Sequence, residues 1–113
     1  MNELTVDELY NILKSGTENI GQHLNPDENF TKELVAGLIA NRKRYGYQSC
    51  PCRLASGIYE KDQDIICPCA YRDADVAEFG NCYCSLYVDA DIASGAKKTH
   101  SIPERRPREK RKL

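Results

Sequence analysis

The sequence predicts a mainly α, single-domain fold with at most one short extended segment, and three observations carry that prediction. A chain of 113 residues is long enough for one hydrophobic core and too short for two. Its first 46 residues hold two apolar stripes at helical spacing, each with its own start signal. The best β-like run, Ser85-Leu86-Tyr87-Val88, is only four residues long. Residues 1–102 read as the domain and 103–113 as a basic C-terminal tail.

The elements follow in chain order. Thr5 with Glu8 has the form of a capping box, and Val6, Leu9, Leu13 and Ile20 then recur at helical spacing past a weak point at Gly16. Asn25-Pro26-Asp27-Glu28 predicts the next start, with Asn25 as N-cap, Pro26 as the first helical residue and Glu28 closing a second box. Phe30, Leu34, Val35, Leu38 and Ile39 form the core stripe, Arg42-Lys43-Arg44 suit the last turn, and Gly46 is the stop. Two short helices are expected farther on, over 54–61 and over 73–79, the second with Asp73 as N-cap and Gly80 closing it.

Composition excludes several classes. No window approaches the roughly 18 apolar residues of a membrane span. The N-terminus lacks a basic region followed by an apolar one, so a reducing, cytoplasmic setting is expected. The net charge of -1 hides an asymmetry: residues 97–113 carry eight Lys/Arg against two Glu, while the rest carries eight against fifteen Asp/Glu. The acidic body disfavours nucleic acid, and the tail reads first as a solvated end, its first half extended by Pro103 and Pro107. An acidic electron donor could also be steered by it.

The chemistry lies in the six cysteines, arranged as Cys50-Pro51-Cys52, Cys67-Pro68-Cys69 and Cys82-Tyr83-Cys84 with gaps of 14 and 12 residues. Proline at the middle position stiffens the unit and keeps it out of a helix. Three readings stand open on spacing alone. Structural disulfides are disfavoured by compartment. Zinc takes four ligands, usually in pairs two to four residues apart, and the one-residue spacing fits poorly, although a structural zinc module with a basic tail remains the alternative. An iron-sulfur cluster also takes four thiolates, and the two left over could form a reversible disulfide beside it.

The run Tyr45-Gly46-Tyr47-Gln48-Ser49-Cys50-Pro51-Cys52-Arg53, followed in order by the other two units and by Ile102-Pro103-Glu104-Arg105-Arg106-Pro107, resembles the catalytic (beta) chain of ferredoxin:thioredoxin reductase. The resemblance implies a compact helical chain whose loops surround a 4Fe-4S cluster. It implies Cys50, Cys67, Cys69 and Cys82 as ligands, and Cys52 with Cys84 as a redox-active disulfide. Ferredoxin would then donate electrons singly. Cys52, the more exposed thiol, would attack the disulfide of a thioredoxin- or glutaredoxin-like protein, while Cys84 stays associated with the cluster. From about -400 mV for a plant-type ferredoxin to about -270 mV for thioredoxin the drop is about 6 kcal/mol for two electrons.

Two departures stand out. The family's photosynthetic members have His between the cysteines of the third unit, where this chain has Tyr83, which reads either as a differently tuned proton donor or as packing. The gap before that unit is also longer, which bears on partner surfaces more than on ligation. The loss of the His favours a ferredoxin:disulfide reductase of the anaerobic type that works without a variable subunit. Arg53, beside Cys52, either stabilises a thiolate or caps a carbonyl. His23 and His100 read as surface residues.

Overall fold

The computed structural model describes residues 4–111; Lys112 of the basic tail lies outside them. Helix α1 (Val6–Asn19) packs on α2 (Glu28–Tyr45). Both termini of the capping box are made: Thr5 Oγ1 accepts from Glu8 N at 3.1 Å and Glu8 Oε1 accepts from Thr5 N at 3.1 Å. The helix runs through Gly16 without breaking, because Leu9 and Thr17 on either side of it are buried. A mid-helix glycine costs about 1 kcal/mol, less than the burial of one leucine returns.

Helix α2 starts two residues later than its sequence suggests. Asp27, not Asn25, is the N-cap, accepting from Phe30 N at 3.1 Å. Asn25 is occupied elsewhere. Its Oδ1 accepts from Asp27 N at 2.9 Å, its Nδ2 donates to Ser85 O at 2.9 Å, and its backbone N donates to Leu86 O at 2.9 Å. Glu28 closes no box and pairs with Lys32 at 3.0 Å. Val35 and Leu38 are fully buried with Thr31, whereas Phe30 turns outward, 37% exposed. Gly46 ends the helix in the left-handed region, with φ 86° and its N–H on Arg42 O.

Strand β1 (His23–Leu24), which the sequence did not announce, pairs antiparallel with β2 (Tyr87–Val88) in the register His23 to Val88 and Leu24 to Tyr87. The expected extended run therefore shrinks to two residues, and Ser85 takes a positive φ of 63°.

The helix expected over 54–61 forms later, as α3 (Tyr59–Asp62) with a 3-10 turn over Gln63–Ile65. The buried carboxylate of Asp62 is the reason. It accepts from Ser56 N and Gly57 N, each at 3.1 Å, from Ser56 Oγ at 2.8 Å and from Tyr47 OH at 2.5 Å. Those bonds hold the preceding loop in a non-helical ring and leave Leu54 69% exposed.

Helix α4 (Arg72–Phe79) ends at Gly80 as expected, but Asp73 is not its cap; that carboxylate accepts from Gln22 Nε2 at 3.0 Å and Arg72 Nε at 3.1 Å. A final short helix, α5 (Ala90–Ala93), is capped by Asp89. No helix among the described residues is long and apolar enough to cross a membrane. The fold is thus mainly α with one two-stranded sheet, and that sheet ties the start of α2 to the third Cys unit.

Candidate functional site

Backbone pairing brings the first two Cys units together. Cys50 N donates to Ile65 O at 2.7 Å and Cys67 N donates to Gln48 O at 2.8 Å, flanking an antiparallel bridge between Ser49 and Ile66. The Cys67–Pro68 peptide bond is cis. The third unit sits in a tight loop closed by Cys82 N on Tyr87 O at 2.9 Å and Ser85 N on Cys82 O at 2.9 Å. Fully buried Asn81 braces this loop, donating from Nδ2 to Cys82 O at 2.9 Å and to His100 O at 3.1 Å. Helix α2 supports the first unit from behind: a Cβ on Gly37 would lie 2.9 Å from Pro51 Cβ, so only glycine lets that proline seat.

Five of the six thiols, on Cys50, Cys67, Cys69, Cys82 and Cys84, line one small, partly open pocket together with Arg53, Arg72, Tyr83 and Tyr87. Cys52 alone is exposed and lies instead in a neighbouring surface cleft of about 170 Å³, with Leu54, Glu104 and Arg111. Cys84 Sγ lies 2.8 Å from Cys50 Sγ. The arrangement places Cys84 against a second cavity thiol, and both bear on the acidity of the exposed one.

Electrostatics divide the thiols in the same way. Hydrogen bonds from Cys50 and Cys84, helped by the charge of Arg53, bring the Cys52 thiol down to about 4. Cys84 and Cys50 are pushed up as the donors of that network. Burial pushes Cys67 up to about 12 and raises Cys82.

Among the described residues Arg53 caps no carbonyl. Its Nη1 points at sulfur, 3.4 Å from Cys69 Sγ and 3.8 Å from Cys50 Sγ, while Nε and Nη2 grip Glu104 at 2.8 and 2.7 Å. Its guanidinium lies 4.6 Å from the Tyr83 ring centroid and 5.3 Å from that of Tyr71. No hydrogen bond reaches the Tyr83 hydroxyl among the described residues. His100 is exposed and His23 half-buried in β1.

The tail is only partly a solvated end. Arg105 Nε holds the buried Asp75 at 2.7 Å, and Arg106, 3% exposed, holds Asp64 at 2.8 Å. Sequence reasoning did not single out Glu104, Arg106 or Gly37 as parts of the site. Each acts through a partner at least 14 residues away in the chain, and no local pattern announces such a partner.

The family model for the ferredoxin thioredoxin reductase catalytic beta chain matches residues 1–108. The chain belongs to that family. No curated protein matches it. Membership in the ferredoxin thioredoxin reductase catalytic chain family makes it a disulfide reductase and implies ferredoxin and thioredoxin as partner classes. The family binds a 4Fe-4S cluster, and the donor set here fits one. Four thiols beyond Cys52 and Cys84 converge on one cavity, and burial keeps two of them neutral unless a cationic core offsets the charge. Among the described residues no three His, Cys, Asp or Glu side chains converge as a single ion requires.

Proposed function

We propose that the chain reduces the disulfide of a thioredoxin- or glutaredoxin-like protein with electrons from ferredoxin, using Cys52 and Cys84 as its redox pair and Cys50, Cys67, Cys69 and Cys82 as the ligands of a 4Fe-4S cluster. The carrying observation is the partition of the thiols: one exposed and acidic, five around a cavity, with Cys84 in contact with Cys50 and lowering the pKa of Cys52. When bound, the cluster supplies one-electron storage beside the pair, so that a single-electron donor can serve a two-electron bond.

The chain's own residues do the rest. The Cys52 thiolate attacks one sulfur of the target disulfide, and the other target sulfur leaves as a thiolate. Cys84 then attacks the Cys52 sulfur, frees the second target thiol and closes Cys52–Cys84, which two donor electrons reopen. Arg53 stabilises the attacking thiolate, and the cleft lined by Leu54 and Arg111 admits the target segment. Tyr83 packs against Arg53 and needs no hydroxyl for this. Free thiols of this kind suit a reducing compartment such as the cytoplasm.

The test is Cys52→Ser in anaerobically prepared protein. Iron and sulfide near about four per chain with disulfide reduction abolished is the expected result. Normal target reduction by that variant overturns the assignment.

A further inference from the structure

The buried thiol cavity and the Cys52 cleft share two lining side chains, Arg53 and Tyr83, which therefore form the wall between them. The Arg53 guanidinium lies 4.6 Å from the Tyr83 ring centroid, and its side chain is 2% exposed. A long cationic side chain does not stay desolvated against an aromatic ring unless a counter-charge keeps it there. Glu104 is that counter-charge, gripping Arg53 through both carboxylate oxygens at 2.8 and 2.7 Å.

Glu104 is itself fixed by the strap that carries it. Its Oε1 accepts from Arg106 N at 2.9 Å. The next two side chains anchor the strap to other segments, Arg105 to Asp75 and Glu78 on α4, and Arg106 to Asp64 just before the second Cys unit.

We propose that Glu104 is a positioning residue: it holds Arg53 on Tyr83 and so keeps closed the wall that separates the buried thiols from the cleft where Cys52 meets its target. The inference rests on the reading of Cys52 as the exchanging thiol. Its consequence is selectivity within one chain. A target disulfide, an alkylating agent or a chelator entering the cleft meets Cys52 and is turned away from Cys84 and the ligand thiols. Without the carboxylate, the guanidinium recovers its hydration by swinging into the cleft, and the wall opens.

The test uses anaerobically purified, cluster-loaded protein and compares Glu104→Ala, Glu104→Gln and Tyr83→Leu with Arg105→Ala, which removes an ion pair of the same strap but leaves the Arg106–Asp64 anchor and the Arg53–Glu104 pair in place. One readout is the rate at which an iron chelator bleaches the visible absorbance. The other is maleimide labelling after reduction, mapped by mass spectrometry. Labelling of a buried thiol follows local opening, so Glu104→Ala and Tyr83→Leu should raise both bleaching and Cys84 labelling about tenfold or more, with Cys52 labelling within about twofold. Glu104→Gln, which keeps an acceptor for Arg53, should fall between, and Arg105→Ala should match the wild type. Unchanged rates in Glu104→Ala, or an equal rise in Arg105→Ala, overturn the proposal. Should Glu104→Ala fail to fold, Glu104→Gln and Tyr83→Leu decide it, and unchanged rates in both overturn it. Failure of the functional reading looks different: wild-type protein that shields Cys84 but reduces no protein disulfide keeps the wall and loses the activity.

Discussion

Replacing Arg106 by Met tests how firmly the basic end is built into the fold. Arg106 donates from Nε to Asp64 Oδ2 at 2.8 Å and from Nη2 to Asp64 Oδ1 at 3.2 Å and to Lys61 O at 3.1 Å, with side-chain exposures of 4% for Arg106 and 12% for Asp64. Removing one partner of a buried pair costs about 3–5 kcal/mol. Asp64 keeps the Tyr71 hydroxyl at 2.6 Å and a little water access, which sets the loss at the low end, about 3 kcal/mol. At about 4 °C per kcal/mol for a chain of this size, melting should fall by about 12 °C.

The loss also carries a pH signature. Burial pushes the Asp64 carboxyl up, but hydrogen bonds from Arg106 and Tyr71 outweigh it and hold the group below the ordinary carboxylate range. A depressed acid contributes stability that is present above its unfolded pKa, about 3.9, and lost as pH falls through its lower folded value. In Arg106→Met only the Tyr71 hydroxyl still opposes burial, so the folded value rises, and the variant then regains on protonation part of what the wild type loses. The penalty is therefore largest near neutral pH and shrinks as the solution is acidified below about pH 4. Urea unfolding of equally loaded proteins at several pH values measures it. A neutral-pH loss under about 1 kcal/mol, the range of exposed pairs, or a loss independent of pH refutes the reasoning.

Gly37→Ala should destabilise the chain by about 1–3 kcal/mol although alanine favours a helix by about 1 kcal/mol, because the new Cβ meets the fixed ring of Pro51 at 2.9 Å; a more stable variant on urea unfolding would show that Pro51 yields freely. Tyr83→Phe keeps the ring on Arg53 and should leave the pH profile of target reduction unchanged, whereas a displaced profile would give the hydroxyl a proton-transfer role. Arg111 is exposed at the cleft rim, so Arg111→Glu should raise KM for an acidic protein target about two- to fivefold at unchanged kcat, more at low salt; a purely kcat effect would place Arg111 outside target binding.

Where one short stretch of chain determines an element, the sequence was legible. Thr5 with Glu8 announced the start of α1, and Gly46 and Gly80 announced two helix ends. The three Cys units marked where the thiols meet, since five of the six line one pocket, although their spacing alone left cluster, zinc and disulfide open. Contacts between distant segments were not legible. Asn25 satisfies the ideal of an N-cap, yet the loop after the third Cys unit claims its side chain and Asp27 takes the role. The two-residue strand His23–Leu24 exists only because Tyr87–Val88 lies beside it. Arg105 and Arg106 looked like part of a solvated charge run, and only the acids on α4 and before the second Cys unit reveal them as anchors.

The central claim is that Cys52 is the thiol that exchanges with the target. Cys84→Ser removes the group that resolves the exchange, so the reduced variant mixed with an oxidised thioredoxin-like protein should accumulate a covalent one-to-one complex. Peptide mapping of that complex should place the intermolecular disulfide on Cys52. A bridge mapped to Cys50, Cys67, Cys69 or Cys82, or no complex while the wild type turns over, would contradict the account.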